Sequence, residues 1–405
     1  MIEIKIQQNA LAAALNIVTK ASHKGTGSPP AFSLVRLEIS SNRLQLTCFN
    51  GEFAACGAIP AQCLDSGSTN VSAITLREIV QTMNSEIVLN VSEDEVLIKS
   101  GTNRAHLRSS AEILPMVSAA TSEAAISLKG SDLRKLANTA LFASTEFTRA
   151  SLQGIHLTIM QDEAERLILQ AQSADGFCFG RIRVKPDLGP GSAMKALSLP
   201  RLISGLPSDF LKTLATVVDT DDEVLVQFPS KGNQSIFQIR GESRDFLFVT
   251  AMLQDEFPVS AVDELLNKTL SASGAGLVIQ NAELERVIRQ VNAMGTKNLF
   301  IKVKSGLIRV ASNESEFGQA KNILAGEVSG GDAQVWVNTD LLLKLIKACP
   351  AEMSVKIGKP TEPILFQSDD LLALVMPLHD TSDPFEGDDE PAIELSLDQA
   401  VPVTA

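Results

Sequence analysis

The stretch Ile126-Ser127-Leu128-Lys129-Gly130-Ser131-Asp132-Leu133-Arg134-Lys135-Leu136-Ala137-Asn138-Thr139-Ala140-Leu141 changes its hydrophobic period in mid-course. Ile126 and Leu128 alternate with polar neighbours, as in a half-buried strand, whereas Leu133, Leu136, Ala137, Ala140 and Leu141 recur at helical spacing. Ser131 stands between the two patterns, where a hydroxyl can satisfy the free amides of a first helical turn. The same order of strand, cap and amphipathic helix recurs five more times. Ile2, Ile4 and Ile6 lead to a helix from Asn9 with Leu11, Leu15 and Val18, and Val71–Ile74 leads to the capping box Thr75-Leu76-Arg77-Glu78. Leu197 and Leu199 precede Pro200, which suits a first helical turn; Leu277 and Ile279 precede Asn281; Val335 and Val337 precede Asn338.

After each helix the period returns to two, at Val35–Ile39, Ile87–Val91, Ile155–Ile159, Glu223–Phe228, Leu299–Val303 and Met353–Ile357. Turn residues such as Ser41-Asn42, Ser305-Gly306 and Ser368-Asp369 separate successive strands, which predicts antiparallel meanders with helices on one face. Helix starts at 9, 131 and 281 are spaced by 122 and 150 residues, and those at 75, 199 and 338 by 124 and 139. That rhythm predicts an α+β protein with three copies of a two-module domain, each module ordered β-α-β-β-β, over 1–121, 122–258 and 259–380. The acidic remainder, 381–405, is expected to be a disordered tail. The length of 405 residues agrees with three domains at about 150 residues each.

Composition removes several classes of function. The net charge of −13 repels phosphate over most of the surface, and no apolar run approaches a membrane span; Phe246–Leu253, at eight residues, is among the longest. Met1 to Gln8 alternates apolar and polar residues, unlike a signal peptide, so a cytoplasmic protein is expected. Cys48, Cys56, Cys63, Cys178 and Cys349 contain no C-x-x-C pair, and His23, His106, His156 and His379 lack metal-ligand spacing, so neither metal nor cofactor is expected. Gly25-Thr26-Gly27 and Gly189-Pro190-Gly191-Ser192 come nearest to phosphate loops and match neither P-loop nor dinucleotide pattern. With no nucleophile motif either, the chain is expected not to be an enzyme.

The helices differ from the rest of the chain in charge. Eleven cations, Lys20, Arg77, Arg134, Lys135, Arg201, Lys212, Arg286, Arg289, Lys297, Lys344 and Lys347, are assigned to them against six acids. Five of those acids fall in a first turn, where the helix dipole favours them. A basic set of helices in an acidic protein suits loose, sequence-independent contact with phosphates.

Several fragments occur in the order found in the bacterial DNA polymerase sliding clamp, the beta subunit of DNA polymerase III, which the chain resembles from residue 1 to about 379. They are Leu141–Ser144 with Arg149–Gly154, Ser173-Ala174-Asp175-Gly176-Phe177, Leu199-Pro200-Arg201, Glu256-Phe257-Pro258 and Val375-Met376-Pro377-Leu378. The resemblance implies a head-to-tail homodimeric ring, with helices lining the hole and sheets outside, encircling double-stranded DNA without sequence specificity. It implies a processivity factor for DNA polymerase III that tethers polymerase subunits, the clamp loader and repair proteins through short peptides. It adds Lys24 and Arg149 to the DNA-facing cations. It places a partner groove at Leu152, Ala174, Gly176, Phe177, Phe179, Pro258, Asn338, Leu341, Leu374, Val375, Met376, Pro377 and Leu378, and a subunit interface at Arg104 and Leu107. The chain departs from the family pattern at Phe177, Cys178, Ala150 and Leu341, so the alternative is a clamp-like paralogue acting as a protein scaffold without encircling DNA. In the tail, Ile393-Glu394-Leu395-Ser396-Leu397 resembles the leucine-spaced peptides that occupy clamp grooves; the other reading is a solvating acidic tail with incidental leucines.

Overall fold

The computed structural model describes residues 2–23, 28–114, 125–192, 197, 199–227, 234–241, 244–253 and 255–387. Six modules follow one another. The first holds β1 (Ile2–Gln7), α1 (Gln8–Val18), β2 (Leu34–Ser40), β3 (Arg43–Phe49) and β4 (Phe53–Pro60), then the short β5 (Gln62–Cys63). The second holds β6 (Gly67–Ser72), α2 (Ala73–Thr82), β7 (Glu86–Val91), β8 (Glu95–Ser100) and β9 (Asn103–Arg108). The third holds β10 (Ala125–Lys129), α3 (Gly130–Ala137), β11 (Gly154–Gln161), β12 (Leu167–Ala174) and β13 (Cys178–Val184), then β14 (Asp187–Leu188). The fourth holds β15 (Arg201–Pro207), α4 (Ser208–Val217), β16 (Glu223–Gln227), β17 (Gln234–Gly241) and β18 (Arg244–Ala251). An additional helix, α5 (Val259–Ser271), precedes the fifth module: β19 (Ala275–Gln280), α6 (Asn281–Ala293), β20 (Asn298–Lys304), β21 (Leu307–Ser312) and β22 (Lys321–Leu324), then β23 (Gly326–Gly330). The sixth holds β24 (Ala333–Asn338), α7 (Thr339–Ala348), β25 (Glu352–Ile357), β26 (Ile364–Gln367) and β27 (Leu371–Val375).

Modules interlock in pairs because each gives its first strand to its sister. β1 pairs with β7 and β6 with β2; β10 pairs with β16 and β15 with β11; β19 pairs with β25 and β24 with β20. All these ladders are antiparallel. Between the pairs, the last meander strands join into longer sheets: β4 meets β18 and β13 meets β27. Four sheets result, of five, nine, nine and four strands. The last meander strands of the second and fifth modules, β9 and β22, lie at sheet edges with no strand on their outer side among the described residues.

Period-2 patterning turns one face of every sheet to the helices. On β20, Leu299, Ile301 and Val303 enter the main core, while Phe300 faces away; on β27, Leu371, Ala373 and Val375 enter it while Leu374 does not. Helix α1 lays Leu11, Leu15 and Val18 into that core beside Ile4 and Ile6. The Ser305-Gly306 turn joins β20 to β21 with both residues at positive φ (52° and 78°), the twist a two-residue hairpin needs. At the β13–β27 junction Gly180 leaves room for Phe142, whose ring would lie 2.1 Å from a Cβ at that position.

Several helix starts differ from expectation. Ser72, not Thr75, caps α2, accepting from the Thr75 amide at 3.4 Å, and Glu78 lies beside Arg77 instead of returning a capping bond. Lys129 precedes α3 without a side-chain cap, so Ser131 lies inside the helix. Pro200 precedes a strand instead of opening a helix. Its helix begins after the next proline, Pro207, where Phe210, Leu211, Leu214 and Val217 supply the apolar stripe, and Arg201 therefore lies on β15. Asn338 caps α7 as expected, accepting from the Asp340 amide at 2.8 Å.

The tail expected to be disordered over 381–405 departs from that over 381–387, while 388–405, with the leucine-spaced 393–397, lie outside the described residues. Through Gly387 the segment after β27 lies against the sheet of β20, β21, β22 and β24, because Phe385 (8% exposed) finds an aromatic surface made by Phe300 and Trp336.

Candidate functional site

The helices pack in pairs, α1 with α2, α3 with α4 and α6 with α7, on the helix-facing side of the sheets. Most of the cations there are already engaged. Arg77 approaches Glu78 at 3.9 Å, Lys135 meets Asp370 at 2.6 Å, Arg149 meets Glu146 at 3.1 Å and Lys212 meets Asp209 at 3.1 Å. Arg286 pairs with Glu283 at 2.8 Å, Arg289 with Glu285 at 2.6 Å, Lys297 with Asp340 at 2.6 Å and Lys344 with Asp175 at 2.7 Å. Arg134 donates to the Val218 carbonyl, and Lys20 and Lys347 are exposed. Lys24 lies outside the described residues, as does the side chain of Arg201. The exposed pairs among these, such as Lys212–Asp209 and Arg289–Glu285, hold each cation by about 0–1 kcal/mol, so a phosphate can compete for it.

The expected groove residues divide into three groups. Leu152, Ala174, Phe179 and Leu374 come together on the outer face of the β13–β27 junction, in an apolar cluster with Phe257, Leu265, Leu266, Leu365, Val259 and Val262. Helix α5 supplies four of those residues and lies over the others. It is held electrostatically as well: the Arg181 guanidinium, 6% exposed, donates to Asp263 at 2.5 Å and to Gln172 Oε1 at 2.9 and 3.1 Å. It also stacks 5.4 Å from the Phe179 ring centroid. Pro258 is the N-cap of α5.

Gly176, Phe177, Met376 and Pro377 form an open lip next to that cluster. Asp175 Oδ1 accepts from the Phe177 and Cys178 amides at 2.8 Å each, a turn in which Gly176 takes φ 92°. Phe177 is 54% exposed; its carbonyl accepts from the Met376 amide at 2.8 Å, and the Arg149 guanidinium lies 5.6 Å from its ring centroid. Asp175 is the hub. Its carbonyl accepts from Arg149 at 2.6 Å and its carboxylate from Lys344 at 2.7 Å. Burial works to raise its pKa, but Lys344 and the Cys178 and Phe177 amides outweigh it and hold the carboxyl below 3.8. Burial, helped by the Asp175 carboxylate, pushes the Cys178 thiol well up, so it stays a protonated, inert thiol here.

The remaining expected groove residues lie elsewhere. Val375 is in the main core with Leu341 against it, Asn338 caps α7, and Leu378 packs on the cluster of Phe300, Trp336 and Phe385. Arg104 and Leu107 both lie on the edge strand β9, the former exposed and the latter 8% exposed in the core. The residues missed from sequence are those of α5, although Val259, Val262, Leu265, Leu266 and Thr269 recur at helical spacing. Among the described residues there is no cluster fit to hold a metal ion, and no helix is long and apolar enough to cross a membrane.

Residues 2–118 match the family model of the DNA polymerase III beta subunit, N-terminal domain. The chain is 21% identical over 350 residues to the beta sliding clamp of Pseudomonas aeruginosa, covering 84% of this chain and 89% of that protein. It is 22% identical over 381 residues to the beta sliding clamp of Synechocystis, covering 89% and 94%. The crystal structure of the DNA polymerase sliding clamp from Bacillus subtilis superposes with a TM-score of 0.80 at 17% identity, over 94% of this chain and all of that one (100%).

Proposed function

The chain belongs to the bacterial beta sliding clamp family, and on that premise we propose that it closes head to tail with a second copy into a ring around duplex DNA. In this reading 1–121, 122–258 and 259–380 are the three domains of each subunit. The observation that carries it is the edge pattern. Four of the six meander-ending strands are joined within the chain, as β4–β18 and β13–β27; β9 and β22 are the two left over. Pairing β9 of one copy with β22 of the other, twice, completes the same antiparallel scheme and removes both open edges. Arg104 and Leu107 then stand at the subunit interface.

The role is non-catalytic, in DNA replication in the cytoplasm. A ring needs no tight grip on its track, and cations that already hold carboxylates suit weak, mobile phosphate contact. Polymerase subunits, the clamp loader and repair proteins dock short peptides at the lip of Phe177, Met376 and Pro377, with α5 forming the wall over the deeper cluster. Light scattering across a dilution series tests closure. A mass near twice 43.3 kDa that persists on dilution is expected, and a stable 43.3 kDa monomer would overturn the ring and leave a partner-binding scaffold.

A further inference from the structure

The outer face of the four-stranded sheet carries a contact that lies outside both the strand pairing of ring closure and the docking lip. As the chain leaves β27, the Leu378 amide donates to the Trp336 carbonyl at 2.8 Å. Further on, Trp336 Nε1 donates to the Ser382 carbonyl at 2.8 Å, and Lys302 Nζ meets the Asp383 carboxylate at 2.5 Å with both side chains about four-fifths shielded (18% and 21% exposed). Phe385 packs 6.3 Å from Phe300, with Arg309 at 5.9 Å and Lys321 at 5.3 Å from its ring centroid. Asp380 and Asp383 each accept from an amide two residues on, at 2.9 and 3.0 Å, which folds the segment compactly.

These contacts reach all four strands: Phe300 and Lys302 on β20, Arg309 on β21, Lys321 on β22 and Trp336 on β24. The sheet is the smallest of the four. It has four strands where the joined sheets have nine, and its edge strand β22 holds to β21 through four residue pairs. A strand that must be ordered before it can pair adds that ordering cost to association, and a contact that orders it beforehand removes the cost.

We propose that residues 382–385 are positioning residues for subunit closure. They cross-brace the sheet from outside and hold β22 in the shape that β9 of a second copy meets. The inference rests on the ring reading for its consequence, while the brace itself can be measured in the full chain whether or not it dimerises.

Trp336 is the chain's one tryptophan, so its fluorescence reports the brace directly. In the full-length double variant Asp383→Ala, Phe385→Ala, Trp336 emission should shift to the red and become open to iodide. Amide exchange over 307–324 should rise by about tenfold or more and the dimer dissociation constant by roughly tenfold, with β9 exchange in dissociated protein unchanged. Phe385→Leu should recover most of each effect, and a chain ending at Gly387 should behave as the wild type. Trp336 unmoved in the double variant, or Trp336 released with exchange over 307–324 left at the wild-type rate, would overturn the proposal. A wild-type monomer would instead refute the ring reading, and the exchange measurement would still decide the brace.

Discussion

The two faces of the sheets are built to different rules. The helix face is one continuous apolar layer from Ile4 to Val375, repeated module by module, with its polar side lined by cations that mostly hold their own carboxylates. The outer face has separate coverings: α5 over the β13–β27 junction and the 382–385 segment over the four-stranded sheet. At the β4–β18 junction, Ala54, Cys56 and Ala58 face the side away from the core, and neither covering reaches them. The repeat therefore sets the architecture through the helix face, and the chain becomes distinctive through what it lays on the outer one.

If that division is right, damage to the helix face should cost most. Phe142, fully buried (0% exposed), fills the space that Gly180 vacates where β13 meets β27, so Phe142→Ala should destabilise the protein by about 3–5 kcal/mol in urea unfolding. A loss below about 1 kcal/mol would mean the junction is held from the outer face instead.

The next effect tests the outer covering through pH. His156 stacks 4.5 Å from Phe257, just before α5, and its Nε2 has no hydrogen-bond partner among the described residues. Burial lowers its pKa from 6.5 to about 4, with the Ser151 backbone opposing in part. The unfolded chain takes up this proton first as pH falls. The stabilisation is therefore complete above pH 6.5 and is lost as pH drops towards 4, by about 3 kcal/mol in all. Denaturant midpoints at pH 7 and pH 4.5 measure it, and His156→Leu should flatten the difference. Equal pH dependence in the two proteins would rule His156 out. Smaller again is Asp263→Ala, which removes a half-exposed carboxylate but leaves Gln172 to accept from the buried Arg181. A loss of about 1–2 kcal/mol is expected, with faster amide exchange confined to α5.

The same division explains what could be read from the sequence. The six modules were legible because a helix-facing residue repeats at fixed spacing along the chain, as Leu277, Ile279, Leu284, Val287 and Ile288 do. The exchange of first strands was not, since nothing local to β1 says that it pairs with β7 and not with β2. At Pro200 and Pro207 two equal start signals competed, and only the stripe from Phe210 to Val217 separates them. The lip residues Gly176, Phe177, Met376 and Pro377 are named by the resemblance, whereas the α5 cover over Ala174 and Phe179 is not, because it comes from 80 or so residues further along (about the spacing from Arg181 to Asp263). Phe385 was hidden in another way. It sits in an acidic run whose composition reads as solvated, and the cations over its ring, Arg309 and Lys321, like Lys302 against the neighbouring Asp383, are remote in sequence.

The smallest expected effect separates engaged from free cations on the helix face. Arg289→Ala breaks an exposed pair with Glu285 and should change stability by less than about 0.5 kcal/mol. Its effect on DNA should be muted too, because Arg289 must leave Glu285 before it meets a phosphate, and the freed carboxylate then repels that phosphate. Lys20 and Lys347 are exposed and face no such exchange in the pairs described. In direct binding to a short duplex across a salt series, each of Lys20→Ala and Lys347→Ala should lower the slope of log affinity against log salt by up to about 0.9, and Arg289→Ala by clearly less. Equal losses at all three positions would mean that the carboxylates surrender their cations freely, and that the helix face presents its full positive charge to the duplex.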